Sequence, residues 1–146
     1  MSVDIAEPFT PHPMLSIRLL RELGDPHSTL RAATDFRSTA VLIHAGGEVD
    51  AANEHTWRQL IAETAASAPS PGLFVVDVSG LDFMGCCAFE VLAEQAGRCR
   101  ARGVELHIAS AAHTRVTRIV AACGLSDALP VYRSADAALA LPAPSD

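Results

Sequence analysis

The chain of 146 residues is 49% hydrophobic, which predicts one domain with its own core rather than two. Its formal net charge of −6 disfavours a nucleic-acid surface, because an acidic protein repels phosphate backbones. All 11 basic residues are arginine, and a chain without lysine has neither a Walker-type phosphate loop nor Schiff-base chemistry. No apolar run approaches the roughly 18 residues that cross a bilayer, so we expect a cytoplasmic protein without a membrane partner.

The two ends of the chain are predicted to lie outside the packed domain. Residues 1–13 contain three prolines and no periodicity. Residues 14–23 place Leu15, Leu19, Leu20 and Leu23 on one face of a short helix. We expect residues 1–27 to form a flexible N-terminal extension, residues 28–141 to form the domain, and residues 142–146 to form a disordered tail.

Strands and helices alternate along the predicted domain. Residues 28–34 and 39–45 are predicted to be the strands of an opening hairpin, and a helix is predicted over about residues 52–67. Trp57 falls in the apolar stripe of that helix, which makes it a core residue rather than a ligand platform. The remaining strands are predicted over residues 73–76, 104–110 and 129–132, and the remaining helices over residues 86–102, 114–123 and 135–141. This order predicts right-handed crossovers and a mainly parallel sheet.

The centre of the predicted domain is the segment of residues 73–102. An unbroken apolar run is followed by a tight connection, marked by Gly80, Asp82 and Gly85, and then by a helix. Cys86 and Cys87 stand at the entrance of this helix. Unpaired N–H groups and the positive end of the helix dipole gather there and favour a nucleophile or a phosphate. A chemical switch, if the protein has one, is expected at this entrance.

Spacing excludes several catalytic classes. The sequence contains no C-x-x-C, H-x-x-x-H or H-E-x-x-H motif among its six scattered histidines, so neither a metal nor another cofactor is expected. No arginine stands six positions after a cysteine, as a cysteine phosphatase requires, and no G-x-S-x-G elbow or dinucleotide fingerprint occurs. The segment of residues 74–92 is superficially like a response-regulator receiver, but that family needs a lysine.

Four short motifs occur together in a fixed order. Residues 47–50 read Gly-Glu-Val-Asp and resemble a G-E-[LIV]-D signature, and residues 81–88 are similar to an L-x-F-[MI]-D-S-[ST]-G loop. Residues 103–106 and 116–125 match the entrance of the fourth strand and the third helix of the same pattern. Over residues 28–141 the chain therefore resembles the STAS domain of anti-sigma-factor antagonists.

The resemblance implies an α/β fold. The STAS-like sequential β-α superhelix has a mainly parallel sheet of four to five strands, an N-terminal hairpin strand and helices packed on one face. It also implies a binding module for transcription regulation in stress responses, with no enzymatic activity. The expected partner is an anti-sigma factor, commonly a serine kinase with a GHKL-type ATPase fold, from which a sigma factor is released. The implied partner-binding residues are Glu48, Asp50, Asp82, Met84, Gly85, Cys86 and Cys87.

The chain departs from the family pattern where the family is phosphorylated. Gly85 replaces the loop aspartate, Cys86 replaces the acceptor serine, and Cys87 replaces the next hydroxyl residue. A thiol is not a hydroxyl acceptor, so phosphate switching at Cys86 is not expected. A redox switch is the alternative hypothesis, since a helix N-terminus lowers the pKa of a thiol. A disulfide would join Cys123 to Cys87 or to Cys86, and inert packing of all the cysteines is the competing interpretation.

Two other functions remain open at the level of the sequence. Cys86 and Cys87 allow a thiol-dependent enzyme or a peroxide-reactive protein, although no histidine in the loop supplies a general base. The domain can also be a STAS subunit of a larger sensor complex. The identity of the anti-sigma factor and the oligomeric state, with a homodimer among the alternatives, are likewise open.

Overall fold

The computed structural model describes residues 15–37 and 39–140. These residues form one five-stranded sheet and five helices. The strands stand in chain order: β1 (Leu30–Arg37), β2 (Ala40–Val49), β3 (Gly72–Met84), β4 (Val104–Ala109) and β5 (Val131–Tyr132). The helices are α1 (Ile17–Gly24), α2 (Glu54–Ser67), α3 (Cys86–Ala101), α4 (His113–Ala122) and α5 (Ala135–Leu139). Because β1 is antiparallel to β2 and every later pair is parallel, the predicted α/β fold with an opening hairpin is confirmed.

Three strands continue beyond their predicted ends: β1 runs to Arg37 rather than to residue 34, and β2 and β3 are also longer than predicted. β2 extends through the glycines to Val49, and β3 extends from the apolar run to Met84, where a loop was expected after Asp77. The two strands pair closely at Gly46 and Gly80, and a Cβ on Gly80 would lie 2.8 Å from the carbonyl oxygen of Ala45. Glycine here permits a close approach of two strands rather than a turn.

The main core lies between the sheet and helices α1 to α4. It contains the apolar stripe of α2 that the sequence predicts, so Trp57, Leu60, Ile61, Thr64 and Ala68 are all buried. A smaller cluster covers the opposite face, where Ala138 of α5 packs against Leu42, Val75 and Ala109. The helices are therefore on one face except α5, a difference that the weak periodicity of a five-residue helix does not reveal.

Helix α1 belongs to the packed domain. Leu19 is fully buried in the main core, Leu15 and Leu23 pack against it, and the Ser16 hydroxyl accepts from the Leu19 N–H to cap the helix. Leu20, which the sequence places on the same face, is instead 51% exposed. Helix α1, which precedes the predicted domain start at residue 28, is thus packed against the core. Residues 1–14 and the predicted tail, residues 142–146, lie outside the described residues.

His107 is a buried titratable side chain on β4. Its Nε2 is hydrogen-bonded to the Glu105 carboxylate at 3.1 Å, its ring centroid lies 5.0 Å from that of Tyr132, and its Nδ1 has no hydrogen-bond partner among the described residues. Burial lowers the pKa of His107, and Glu105 opposes only part of that effect. The imidazole is therefore neutral in the folded protein at pH 7.

Replacing His107 by leucine is expected to flatten the pH dependence of stability. A depressed folded-state pKa means that the unfolded chain binds the proton first, so stability is complete above the unfolded value of 6.5 and falls as the pH drops toward the folded value. Urea unfolding between about pH 7.5 and 5.5 measures this slope. His27 is exposed, so His27→Leu is the control. An unchanged pH dependence of stability in His107→Leu would contradict the assignment of this dependence to His107.

Candidate functional site

The two sequence motifs meet at the carboxyl ends of β2 and β3. Glu48 pairs with Phe83 and Val49 pairs with Met84, while the Gly85 N–H donates to the Val49 carbonyl at 3.4 Å. The contact loop, residues 47–50, and the switch segment, residues 81–88, therefore form one continuous surface at the entrance of α3. This is the juxtaposition that the resemblance implies.

The surface combines acidic side chains with an exposed aromatic ring. The register shifts between Gly47 and Glu48, so that Asp82 is passed over and Phe83 faces Glu48. Glu48 and Asp82 are exposed, and Phe83 is 55% exposed, although a large apolar side chain is usually buried. Phe83 was not among the predicted site residues. Phe83 lies within the motif of residues 81–88, so the sequence indicated its neighbourhood. The bulge that turns its side chain outward cannot be recognised from the sequence.

Asp50 has a structural role in the contact loop. Its Oδ1 accepts hydrogen bonds from the backbone N–H groups of Ala52 at 3.0 Å and Asn53 at 3.3 Å. Asn53 in turn accepts from the Asp50 N–H at 2.9 Å and donates to the Glu48 carbonyl at 2.9 Å. This network holds the turn that leads into α2 and fixes the backbone beside Glu48. Asn53 is a positioning residue that the sequence analysis missed.

The entrance of α3 is attached to α2 on one side. The indole Nε1 of Trp57 donates to the Ala88 carbonyl at 3.1 Å, and both residues are fully buried. Gly85 precedes the helix in an extended conformation and supplies no side-chain cap. The position of the switch segment therefore depends on the packing of Trp57 in the core.

On the other side, a disulfide joins Cys86 to Cys123 at the end of α4. The two Cα atoms lie 6.3 Å apart, within the normal range for this bond, and 37 positions separate the residues in sequence. Of the two pairings left open by the sequence, the structure contains the one through Cys86. Cys87 and Cys99 are free thiols, and Cys99 is buried in the core.

The pKa of the Cys87 thiol is raised, whereas a lowered pKa was expected at a helix entrance. Burial raises the pKa of its thiol, and a hydrogen bond to Glu54 together with the charge of Glu54 raises it further. The expectation of a lowered pKa is therefore wrong for Cys87, because burial and the nearby carboxylate together outweigh the backbone hydrogen bond that lowers the pKa. A protonated thiol is a poor nucleophile, which weighs against a thiol-dependent enzyme using Cys87.

Glu54→Gln is expected to speed alkylation of Cys87 by iodoacetamide several-fold near pH 8. Removing the carboxylate charge lowers the pKa of the thiol and increases the thiolate fraction. The rate is measured by mass spectrometry of the Cys87 peptide. Glu94→Gln on α3 is the matched control, and equal rates in the two variants would contradict the role of Glu54.

Within residues 15–37 and 39–140, no group of three or more metal-ligating side chains is placed to hold an ion. In the same part of the chain no helix is both long enough and apolar enough to cross a bilayer.

Comparison with known proteins agrees with this geometry. The model of the STAS domain family matches residues 31–138. A protein of Mycobacterium tuberculosis H37Rv that is named as an anti-anti-sigma factor is 59% identical over 130 residues, which are 89% of this chain and 86% of that protein. The anti-sigma-F factor antagonist RsfA of Mycobacterium tuberculosis CDC 1551 is 49% identical over 112 residues, covering 77% of this chain and 87% of RsfA.

Solved structures agree on the fold. An anti-sigma factor antagonist from Mycobacterium paratuberculosis superposes with a TM-score of 0.63 at 21% identity, over 75% of this chain and 91% of that one. The antagonist SpoIIAA in its unphosphorylated form gives a TM-score of 0.58 at 15% identity, over 74% of this chain and 92% of SpoIIAA. With the motifs in register and the family model matching most of the domain, the chain belongs to the STAS domain family.

Proposed function

We propose that this chain is an anti-sigma-factor antagonist, which binds an anti-sigma factor of the serine-kinase type and so releases a sigma factor. The two relatives named for this role support the proposal, at 59% and 49% identity. The observation that carries it is the surface at the entrance of α3, where Glu48 and Asp82 flank the exposed ring of Phe83. A role in binding, without catalysis, follows. Because sigma factors act in transcription, the proposed role places the protein in the cytoplasm.

The composition of the surface indicates the complementary surface of the partner. An aromatic side chain that is exposed in the free protein is suited to anchor an interface, because aromatic residues are enriched at interfaces. The matching surface is an apolar recess bordered by arginine or lysine. In the proposal Glu48, Asp82, Met84, Gly85, Cys86 and Cys87 contact the partner together with Phe83. Asp50 supports them from behind, because its carboxylate is occupied by the backbone of the α2 entrance.

Phosphorylation at position 86 has no part in the proposed function. Position 86 has a thiol in place of a hydroxyl acceptor, and Gly85 offers no carboxylate to orient an attacking group. Binding to a kinase-type anti-sigma factor is thus expected to persist in the presence of ATP.

The proposed regulation is redox. Closing the Cys86–Cys123 bond removes two electrons and two protons from the thiols, and hydrogen peroxide that takes them up becomes two molecules of water. The bond fastens the first turn of α3 to the end of α4 and turns the Cys86 sulfur toward Cys123. In the proposal the oxidised form binds the anti-sigma factor more weakly, and reduction by a dithiol restores binding.

The test is titration calorimetry of the full chain with a purified anti-sigma-F factor, the class of protein in the name of RsfA. Glu48→Lys and Phe83→Ala are each expected to weaken binding at least tenfold. Asp136→Lys on α5 is the control: it makes the same charge reversal away from the surface and is expected to leave binding unchanged. Glu48→Lys is a sharper test than Asp50→Lys, which also removes the cap of the α2 entrance. No binding by the reduced protein, or equal binding by all variants, would overturn the proposal.

The redox part is tested separately with the same assay. Cys123→Ser is expected to bind like the reduced protein under both oxidising and reducing conditions, while Cys87→Ser keeps the redox response. Release of a bound sigma factor, followed by size-exclusion chromatography, is expected to change in parallel. A redox response that survives in Cys123→Ser would refute this regulation without touching the binding role.

A further inference from the structure

The first strand of the sheet has an unpaired edge. Among the described residues β1 is hydrogen-bonded only to β2, so the other side of the strand presents backbone groups that no strand satisfies. We propose that this edge joins two copies of the chain into a twofold dimer in which β1 pairs antiparallel with β1 of the second copy. The contact would use the side of β1 that faces away from β2, and the proposal does not depend on the proposed function.

The hydrogen bonds identify the residues that face outward. The Glu48 N–H donates to the Thr29 carbonyl at 2.9 Å, so odd-numbered positions of β1 exchange bonds with β2. The backbone of Leu30 instead bonds to the Ser28 hydroxyl, at 3.2 Å from its nitrogen and 3.0 Å from its oxygen. Ala32 and Thr34 follow at the same parity. Their N–H and C=O groups therefore point away from β2, toward an additional strand.

Twofold symmetry then limits the register. Even-numbered residues of one copy, whose backbone groups face outward, must pair with even-numbered residues of the other copy. The twofold axis therefore passes between a residue and the same residue of the second copy, and not between two neighbouring positions. With the axis at Ala33, Arg31 lies opposite Asp35 of the partner subunit, and Asp35 lies opposite Arg31 of the partner subunit. These are non-hydrogen-bonded pairs, in which side chains approach most closely. The small Ala33 side chain leaves room at the axis itself.

Neighbouring registers lack this complementarity. Moving the axis to Ala32 sets Arg31 against Ala33 of the partner subunit and pairs no charges. Moving it to Thr34 sets Arg31 against Arg37 of the partner subunit, which is repulsive. A register that pairs Asp35 with Arg37 of the partner subunit overlaps only over residues 35–37. Of these registers, the axis at Ala33 is the one in which most of β1 overlaps and both Arg31 side chains meet a carboxylate.

The charges that this register needs are available on the free chain. Arg31 is exposed and makes no ion pair within residues 15–37 and 39–140. Asp35 binds Arg37 through Oδ2 at 3.2 Å, which leaves its second carboxylate oxygen for another guanidinium. Self-complementary opposite charges on one strand are what an isologous contact requires.

Exposed apolar side chains occur on the same edge of the molecule. Among the described residues the exposed large hydrophobic side chains are Phe83, of the surface at α3, and Ile17, Leu20 and Phe36. The last three belong to α1 and β1, which pack together at this end of the sheet. A dimer through β1 brings two such regions toward one another, and their partial burial adds an apolar contribution to the strand pairing.

The test is sedimentation equilibrium of the full chain over a range of concentrations, with three variants. Wild type is expected to be a monomer–dimer mixture. Arg31→Asp is expected to raise the dimer dissociation constant about thirtyfold, because two opposite-charge pairs become two like-charge pairs. Adding Asp35→Arg to that variant restores complementarity and the dimer. Arg100→Asp on α3 is the matched control for net charge.

A cross-link tests the register. In a Cys87→Ser background, Ala33→Cys is expected to form a covalent dimer when oxidised glutathione takes two electrons and two protons from the paired thiols and becomes two reduced glutathiones. Ala32→Cys, one residue from the axis, is expected to remain largely uncrosslinked. A wild-type chain that stays monomeric, a dimer insensitive to Arg31→Asp, or equal cross-linking of the two cysteine variants would overturn the proposal.

Discussion

Replacing Trp57 by alanine is expected to lower the free energy of unfolding by about 4 kcal/mol, the range observed when a large buried aromatic side chain is removed. Trp57 is completely buried between α2 and α3, and its indole also satisfies the Ala88 carbonyl at 3.1 Å. The substitution leaves a cavity and removes a buried hydrogen bond together. Urea unfolding followed by circular dichroism measures the change.

Trp57→Phe separates these two contributions. Phenylalanine retains most of the apolar volume and loses only the N–H donor, so about 1–2 kcal/mol is expected. Because Ala88 lies in the first turn of α3, this variant also loosens the switch segment. We therefore expect Trp57→Phe to weaken binding of an anti-sigma factor more than its loss of stability explains. A loss below about 1 kcal/mol in Trp57→Ala would show that the core readily closes around the missing ring.

Gly47→Ala is expected to destabilise the protein by about 3 kcal/mol or more, since a left-handed backbone and a steric overlap must both be accommodated. Gly47 has a φ of 91°, and a Cβ at this position would overlap the carbonyl oxygen of Thr29. That carbonyl accepts from the Glu48 N–H, so the strain falls on the backbone of the contact loop. Thermal and urea unfolding measure the loss.

Gly97→Ala is the matched control. Gly97 is exposed in the middle of α3, a Cβ there meets nothing within 4 Å, and its backbone is helical. Alanine is a better helix former than glycine, so this variant is expected to gain about 1 kcal/mol. Equal effects of the two substitutions would mean that Gly47 relaxes without disturbing the strand pair.

The apolar pattern was sufficient to predict the fold. The stripe of α2 and the central strand are buried as expected, because burial of a periodic face decides both elements. The ends of β2 and β3 were not predictable from the sequence. A glycine there predicts the end of a strand, but glycine can also permit two paired strands to approach closely, and the sequence does not distinguish these two uses. Gly80 serves the second purpose, opposite Gly46.

The site was predictable as a place and less so in its details. The two motifs meet as the resemblance implies, yet Phe83 turns outward because of a bulge at Asp82. Asp50 caps a backbone turn, a role that its neighbours in three dimensions decide. The choice of Cys86 over Cys87 for the disulfide depends on which side of α3 faces α4, and a rotation of one residue is below the precision of a helical periodicity.

The segment enclosed by the disulfide contains all of α3, β4 and α4. A covalent loop of this size restricts the unfolded chain more than the native one, so oxidation lowers the population of fully open molecules. Proteases act on open molecules, and their rate follows that population when refolding is fast. The oxidation state of two sulfur atoms would thereby set how quickly a protease degrades each molecule.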